Sequence, residues 1–164
     1  MTSLVVRIKK KSNGEAALTC ERGDGSVTWQ RQEGPLSRFF PLHDLTHFAV
    51  ESVLGFDSAF FGSISNGWDI SDFAAPGAKD RLTEQAMLAE MIVGFFDVEQ
   101  RTGFLGDADE YAWKIQTYRE EHKMPPTTFV VTDEQLLAIR AKRGELFAAW
   151  QIVPPGETLE LRFQ

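Results

Sequence analysis

Cysteine is almost absent: Cys20 is the single one in 164 residues. No internal disulfide can form and no cysteine-based zinc knuckle exists, which fits a reducing compartment. Cys20 falls in a strand-like run with no histidine near it in sequence, the pattern of an ordinary strand cysteine. Long apolar runs are missing too. No stretch approaches the ~20 apolar residues of a membrane span, and the run Leu4-Val5-Val6 is too short for a secretory signal. Basic charge is in the minority, with 17 Lys and Arg against 24 Asp and Glu and a formal net charge of -7. That balance argues against a general binder of phosphate backbones. Lys9-Lys10-Lys11 is the only basic run, and it suits the solvated end of a strand. No internal repeat or low-complexity segment is visible. Together these absences predict a cytoplasmic protein without a nucleic-acid or membrane partner, acting, if it is an enzyme, on an unknown small-molecule substrate.

What is present is a core. Hydrophobic residues make up 43% of the chain and charged ones 25%, with thirteen Phe and four Trp. This is the composition of a globular protein, and the length predicts a single domain over 1–164. Residues 4–32 alternate with the period of two expected of half-buried strands, broken by turns at Asn13-Gly14 and at Arg22-Gly23-Asp24-Gly25. Arg22-Gly23-Asp24 also matches a cell-adhesion tripeptide, but a tight turn is the reading adopted. Residues 36–151 are mainly helical. Helices are expected at 41–54, as a short piece at 57–65 with Asp57 at its N-cap, at 80–101, at 107–121, and from the capping box Thr132–Gln135 through Trp150. The loop 66–73 carries Trp68, Ile70 and Phe73 and is expected to be pinned to the body, with Asp69 and Asp72 capping the local backbone. Leu159, Leu161 and Phe163 alternate as a last strand that should return to the N-terminal meander. The fold class is therefore α+β, a small antiparallel sheet (4–32 and 157–163) beside about four helices.

The helix expected at 41–54 carries the chemistry. Each four-residue step advances ~40° around a helix and ~6 Å along it, so His43, His47 and Glu51 form one row, with Asp44 beside it. Phe48, Leu45, Ala49, Val53, Val50 and Leu54 cover most of the remaining circumference, which marks a buried helix. Titratable groups next to that apolar arc must face a cleft, bond one another or hold a cation. Glu90 stands in the most apolar run of the 80–101 helix, between Ala89 and Met91. It is a metal ligand supplied by a second helix, or else an edge position or the partner of an arginine in a salt bridge. The expected metal ligands are thus His43, His47, Glu51 and Glu90, the metal zinc or a similar divalent ion, and Asp44 the candidate catalytic carboxylate. His122, the third histidine, ends the 107–121 helix, where a cation suits the helix dipole.

His43-Asp44-Leu45-Thr46-His47 resembles the His-Asp-x-x-His motif of a zinc-binding family of ubiquinone-biosynthesis proteins. It is also similar to the His-Glu-x-x-His helix of zinc metalloproteases, with Asp44 in place of the catalytic Glu. The first family adds a downstream Glu as a further ligand. Ala59 occupies that position here, and the nearest carboxylates are Glu51 and Glu90. The match spans five residues. Three functions remain open at this point: a metalloprotein acting as a hydrolase or lyase on a small substrate, a non-catalytic binding or scaffolding domain with a buried His–carboxylate network, and a purely structural metal site.

Overall fold

A computed structural model describes residues 3–164. Among these, four strands form one antiparallel sheet in the order β3-β2-β1-β4, and five α-helices lie beside it. The class is α+β. Strands β1 (Leu4–Lys10), β2 (Ala16–Glu21) and β4 (Thr158–Phe163) share one apolar face. Leu4, Val6 and Ile8 of β1 lie opposite Phe163, Leu161 and Leu159 of β4, and Val6 and Ile8 lie opposite Cys20 and Leu18 of β2. The C-terminal strand does return to the meander, as its alternation required. On the other face Arg7 reaches Glu21 at 2.6 Å and Glu160 at 2.9 Å, spanning three strands. Strand β3 (Val27–Gln32) is the sheet's outer edge on the β2 side, and Trp29 is 58% exposed there.

Helix α1 (Phe39–Leu54) is the hub. It starts two residues before Pro41 because the turn at 34–38 already winds into it, Phe39 and Phe40 donating to the Leu36 carbonyl at 2.9 and 3.1 Å. It ends at Gly55, whose φ of 68° places it in the left-handed region that a helix C-cap favours. One side of α1 meets the sheet, where Phe48, Phe61 and Phe163 pack ring on ring at 5.7–5.8 Å. The other side meets α3 (Glu84–Thr102) and α5 (Asp133–Gln151). Arg143 of α5 joins all three, donating to Thr46 Oγ1 and to the Phe96 carbonyl, each at 3.1 Å.

Two further helix starts differ from expectation. Helix α2 (Phe60–Ser65) begins after residue 57, because the amides of Asp57 and Ser58 both donate to Gln85 Oε1 at 2.9 Å instead of entering the helix. Gly62 lets this corner close, since a Cβ there would stand 2.2 Å from the Asp57 carbonyl carbon. Helix α3 begins only after Thr83, whose hydroxyl accepts from the Ala86 amide at 3.0 Å; residues 78–81 form a separate 3-10 turn. Helix α4 (Ala108–Glu121) starts from Asp107, and α5 from the expected Thr132–Gln135 capping box. A buried polar junction ties α3, α4 and α5, with Glu99 accepting from Tyr111 Oη at 2.8 Å, the Gly106 amide at 3.1 Å and Arg140 Nη2 at 2.7 Å.

The loop 66–73 is pinned as expected. Arg22 of the β2–β3 turn donates to the carbonyls of Ile64 and Trp68 and to Asp69 Oδ1, and Asp69 with Asp72 caps the 3-10 turn Ile70–Ala74. Cys20 is fully buried in β2, and burial pushes its thiol up to about 12, so it stays protonated. No helix among the described residues is long and apolar enough to cross a membrane.

Candidate metal centre

Helices α1 and α3 bring three ligand-type side chains together. One donor atom each from His43, His47 and Glu90 lie within 4.8 Å of one another. The two imidazoles come from successive turns of α1, their ring centres 4.9 Å apart and their planes at 74°. Glu90 enters from α3, its Oε1 standing 3.0 Å from His47 Nε2. Donors bound to one zinc ion at ~2.0–2.2 Å would be ~3.3 Å apart in a tetrahedron. Gathering this set around one cation therefore needs side-chain movements on the order of 1 Å.

Each imidazole is oriented by a carboxylate on its other nitrogen. His43 Nδ1 lies 2.9 Å from Asp97 Oδ2, and His47 Nδ1 lies 3.2 Å from Glu51 Oε2. An imidazole that gives its Nδ1–H to a carboxylate has Nε2 left as its ligand atom. Phe39 packs tilted against His43 at 5.3 Å and Phe60 against His47 at 5.4 Å, which further limits ring rotation. Neither Asp97 nor the two phenylalanines stood out in sequence. Asp97 had a signal, because it follows Glu90 by seven residues and so shares its helix face.

Glu51 and Asp44 are placed outside the three-residue group. Glu51 stands behind His47 at 0% exposure. Its second oxygen accepts from the amides of Phe61 at 2.9 Å and Gly62 at 3.4 Å, supplying the cap that Ala59 cannot give to α2. Asp44 turns toward the sheet and accepts from Gln32 Nε2 of β3. His122 is remote in role, donating Nδ1–H to the Tyr118 carbonyl at 2.8 Å as the last residue of its helix turn.

The electrostatics follow from a floor that is buried and a mouth that is open. His47 and Glu51 are almost wholly enclosed, whereas the Glu90 side chain is 59% exposed. The apolar run around Glu90 thus does not bury it; α3 presents it at the open edge of the α1–α3 contact. Burial opposes the charge on His47, but hydrogen bonds to Glu51 and Glu90 outweigh it and push its pKa up to about 10. Partial burial likewise opposes the charge on Glu90, yet its bond to His47 holds its pKa below the ordinary range. Burial raises Glu51 even against the His47 contact. Burial also lifts Asp44 to about 6, with the Gln32 bond opposing. Without a cation, then, His47 favours its protonated form between Glu51 and Glu90.

Comparison with protein-family models, curated proteins and solved structures finds no match to this chain.

Proposed function

We propose that this chain is a metal-dependent enzyme in which His43, His47 and Glu90 hold one divalent cation, zinc or a similar ion, and which acts as a hydrolase or lyase on a small molecule. The observation that carries the reading is the double carboxylate–imidazole arrangement. Both Nδ1 atoms are engaged, by Asp97 and by Glu51, and one carboxylate on another helix faces the imidazoles. Two His and one Glu is a donor set of catalytic zinc sites, which keep a fourth position for water or substrate. A cation so held would polarise water or a substrate oxygen. The residues of the chain supply the rest. Glu51 and Asp97 fix ring tautomer and orientation, and the exposed side of Glu90 leaves the fourth position accessible. The resemblance to the His-Asp-x-x-His zinc family supports the same assignment, with Glu90 in the part that the downstream Glu plays in that family.

A second reading has its own observation. His47 bridges Glu51 and Glu90 at 3.2 and 3.0 Å, so as an imidazolium it is satisfied without any cation. On that reading the cluster is a buried polar network of a non-catalytic domain. Metal analysis of the purified protein separates the two. Equimolar divalent metal that is lost in His43→Ala/His47→Ala, and also in the milder Glu90→Gln, supports the metal centre. Metal-free protein that takes up no zinc on titration supports the network.

A further inference from the structure

A cleft of about 870 Å3 opens between α3 and α4, and Glu90 belongs to its wall as well as to the metal group. Pockets that hold small ligands span ~300–1,000 Å3, so it is large enough for one. Its α3 wall is the stripe Met87, Met91 and Phe95, and its α4 wall is Tyr118 stacked on His122 at 3.9 Å and 17°. The Nδ1 bond to the Tyr118 carbonyl locks that His122 ring in place. Lys79 and Asp80, adjacent in sequence, both line the cleft, so its charged lining carries both signs and favours no one ionic substituent.

Gly94 is the telling residue. It lies in the interior of a 19-residue helix, where glycine is among the poorest helix formers. Close packing does not account for it, because a Cβ at this position would meet no atom within 4 Å. It stands one turn beyond Glu90 and lines the same cleft. What its missing side chain does is leave the wall open beside the metal-facing carboxylate.

We propose that this cleft binds the substrate of the metal centre, and that the substrate is a small molecule with an uncharged alkyl or aryl body carrying an oxygen donor at one end. The inference rests on the metal reading above. The oxygen end occupies the open position next to Glu90, and the body lies along the methionine and aromatic walls, where flexible thioethers adapt to its shape.

Hydroxamates test this, since the headgroup binds zinc and the tail can be varied. Zinc stoichiometry is measured first, then the affinities of acetohydroxamate and octanohydroxamate for the zinc-loaded protein. A buried methylene tightens binding about fourfold, so even partial tail burial should favour octanohydroxamate by at least about tenfold. In Gly94→Leu, whose side chain grows into the cleft, the gain should disappear while zinc stoichiometry and acetohydroxamate affinity stay unchanged. Tyr118→Ala, on the facing wall and at a partly exposed position, should reduce the gain without threatening the fold. Zinc uptake with a gain below about tenfold, or a gain that survives both variants, overturns the cleft assignment alone. Failure to bind zinc overturns the metal reading, and this inference with it.

Discussion

Replacing Glu51 separates folding from ligand tuning, because its two oxygens do different things. Oε1 accepts from the Phe61 and Gly62 amides that open α2, while Oε2 takes the His47 Nδ1–H. Glu51→Ala leaves these donors unpaired at a site with 0% exposure. Each orphaned buried donor costs about 1–3 kcal/mol, and the loss of one member of a buried charged pair about 3–5 kcal/mol overall. Against a typical stability of about 5–15 kcal/mol, Glu51→Ala should be barely folded without metal. Glu51→Gln behaves otherwise. An amide has one oxygen where the carboxylate has two, and turning it to α2 preserves the cap. Its NH2 then faces His47 Nδ1, which must become the acceptor. The imidazole proton moves to Nε2, the atom required for the metal. Glu51→Gln should therefore lose no more than about 1–2 kcal/mol of stability but bind zinc about 10–100-fold more weakly. Urea denaturation in chelator reads the first quantity, and zinc competition titration the second. Undiminished zinc affinity in Glu51→Gln would refute the tautomer argument, and a loss below about 1 kcal/mol in Glu51→Ala would refute the capping argument.

On the proposed metal reading, zinc has to displace the proton on His47, whose pKa its two carboxylate neighbours push up to about 10. Apparent affinity should accordingly rise about tenfold per pH unit between pH 6 and 8, with matching proton release in calorimetry using buffers of different ionisation heat. In the metal-free protein the sign for stability is the opposite. The raised His47 pKa contributes stability that is full below its ordinary value of 6.5 and is lost as pH climbs through about 10, so chelator-treated protein should weaken toward alkaline pH. Asp44, lifted from 3.8 to about 6 by burial, opposes folding once ionised. Asp44→Asn should stabilise the metal-free protein at pH 8 by up to about 3 kcal/mol, a difference that vanishes below pH 4, as thermal melts across pH would show. Glu99→Ala removes the acceptor shared by Tyr111, Gly106 and Arg140 and should cost about 3–5 kcal/mol by denaturation while leaving zinc affinity unchanged.

The sequence showed those parts of the centre that depend on local periodicity. His43 and His47 had to share a face once the helix formed, and Glu90 was conspicuous in an apolar run. That two helices meet with Glu90 opposite His47 is a tertiary fact that no local rule reports, and the burial expected from its apolar neighbours does not occur, since its side chain is largely exposed. Asp97 offered only its seven-residue spacing from Glu90, a weak signal because a carboxylate near the end of a helix is ordinary until its partner is known. Glu51 lay on the predicted row, but whether it points at the same ion or behind His47 depends on α2, whose amides draw its other oxygen away. Asp44 was drawn toward β3 for a similar reason, because Gln32 waits there with a buried donor. The sheet was legible almost throughout, since alternation and turn residues determine strands directly. The starts of α2 and α3 were not, because Gln85 and Thr83 act on them through side-chain bonds that no periodicity reports.

The pairing of β1 with β4 also sets a timetable. Arg7 and Glu160, which meet across that pair, are 153 residues apart in the chain. At about 5–20 residues per second, a ribosome needs about 8–30 s to make the intervening segment. For that interval Leu4, Val6 and Ile8 sit on a strand whose outer hydrogen-bonding edge has no neighbour. Such an edge recruits other nascent or unfolded chains. A shortened chain lacking 158–163 would remain permanently at this vulnerable stage, and would also lose Phe163 from its packing on Phe48 of α1. Its expected failure is association with other chains in proportion to concentration.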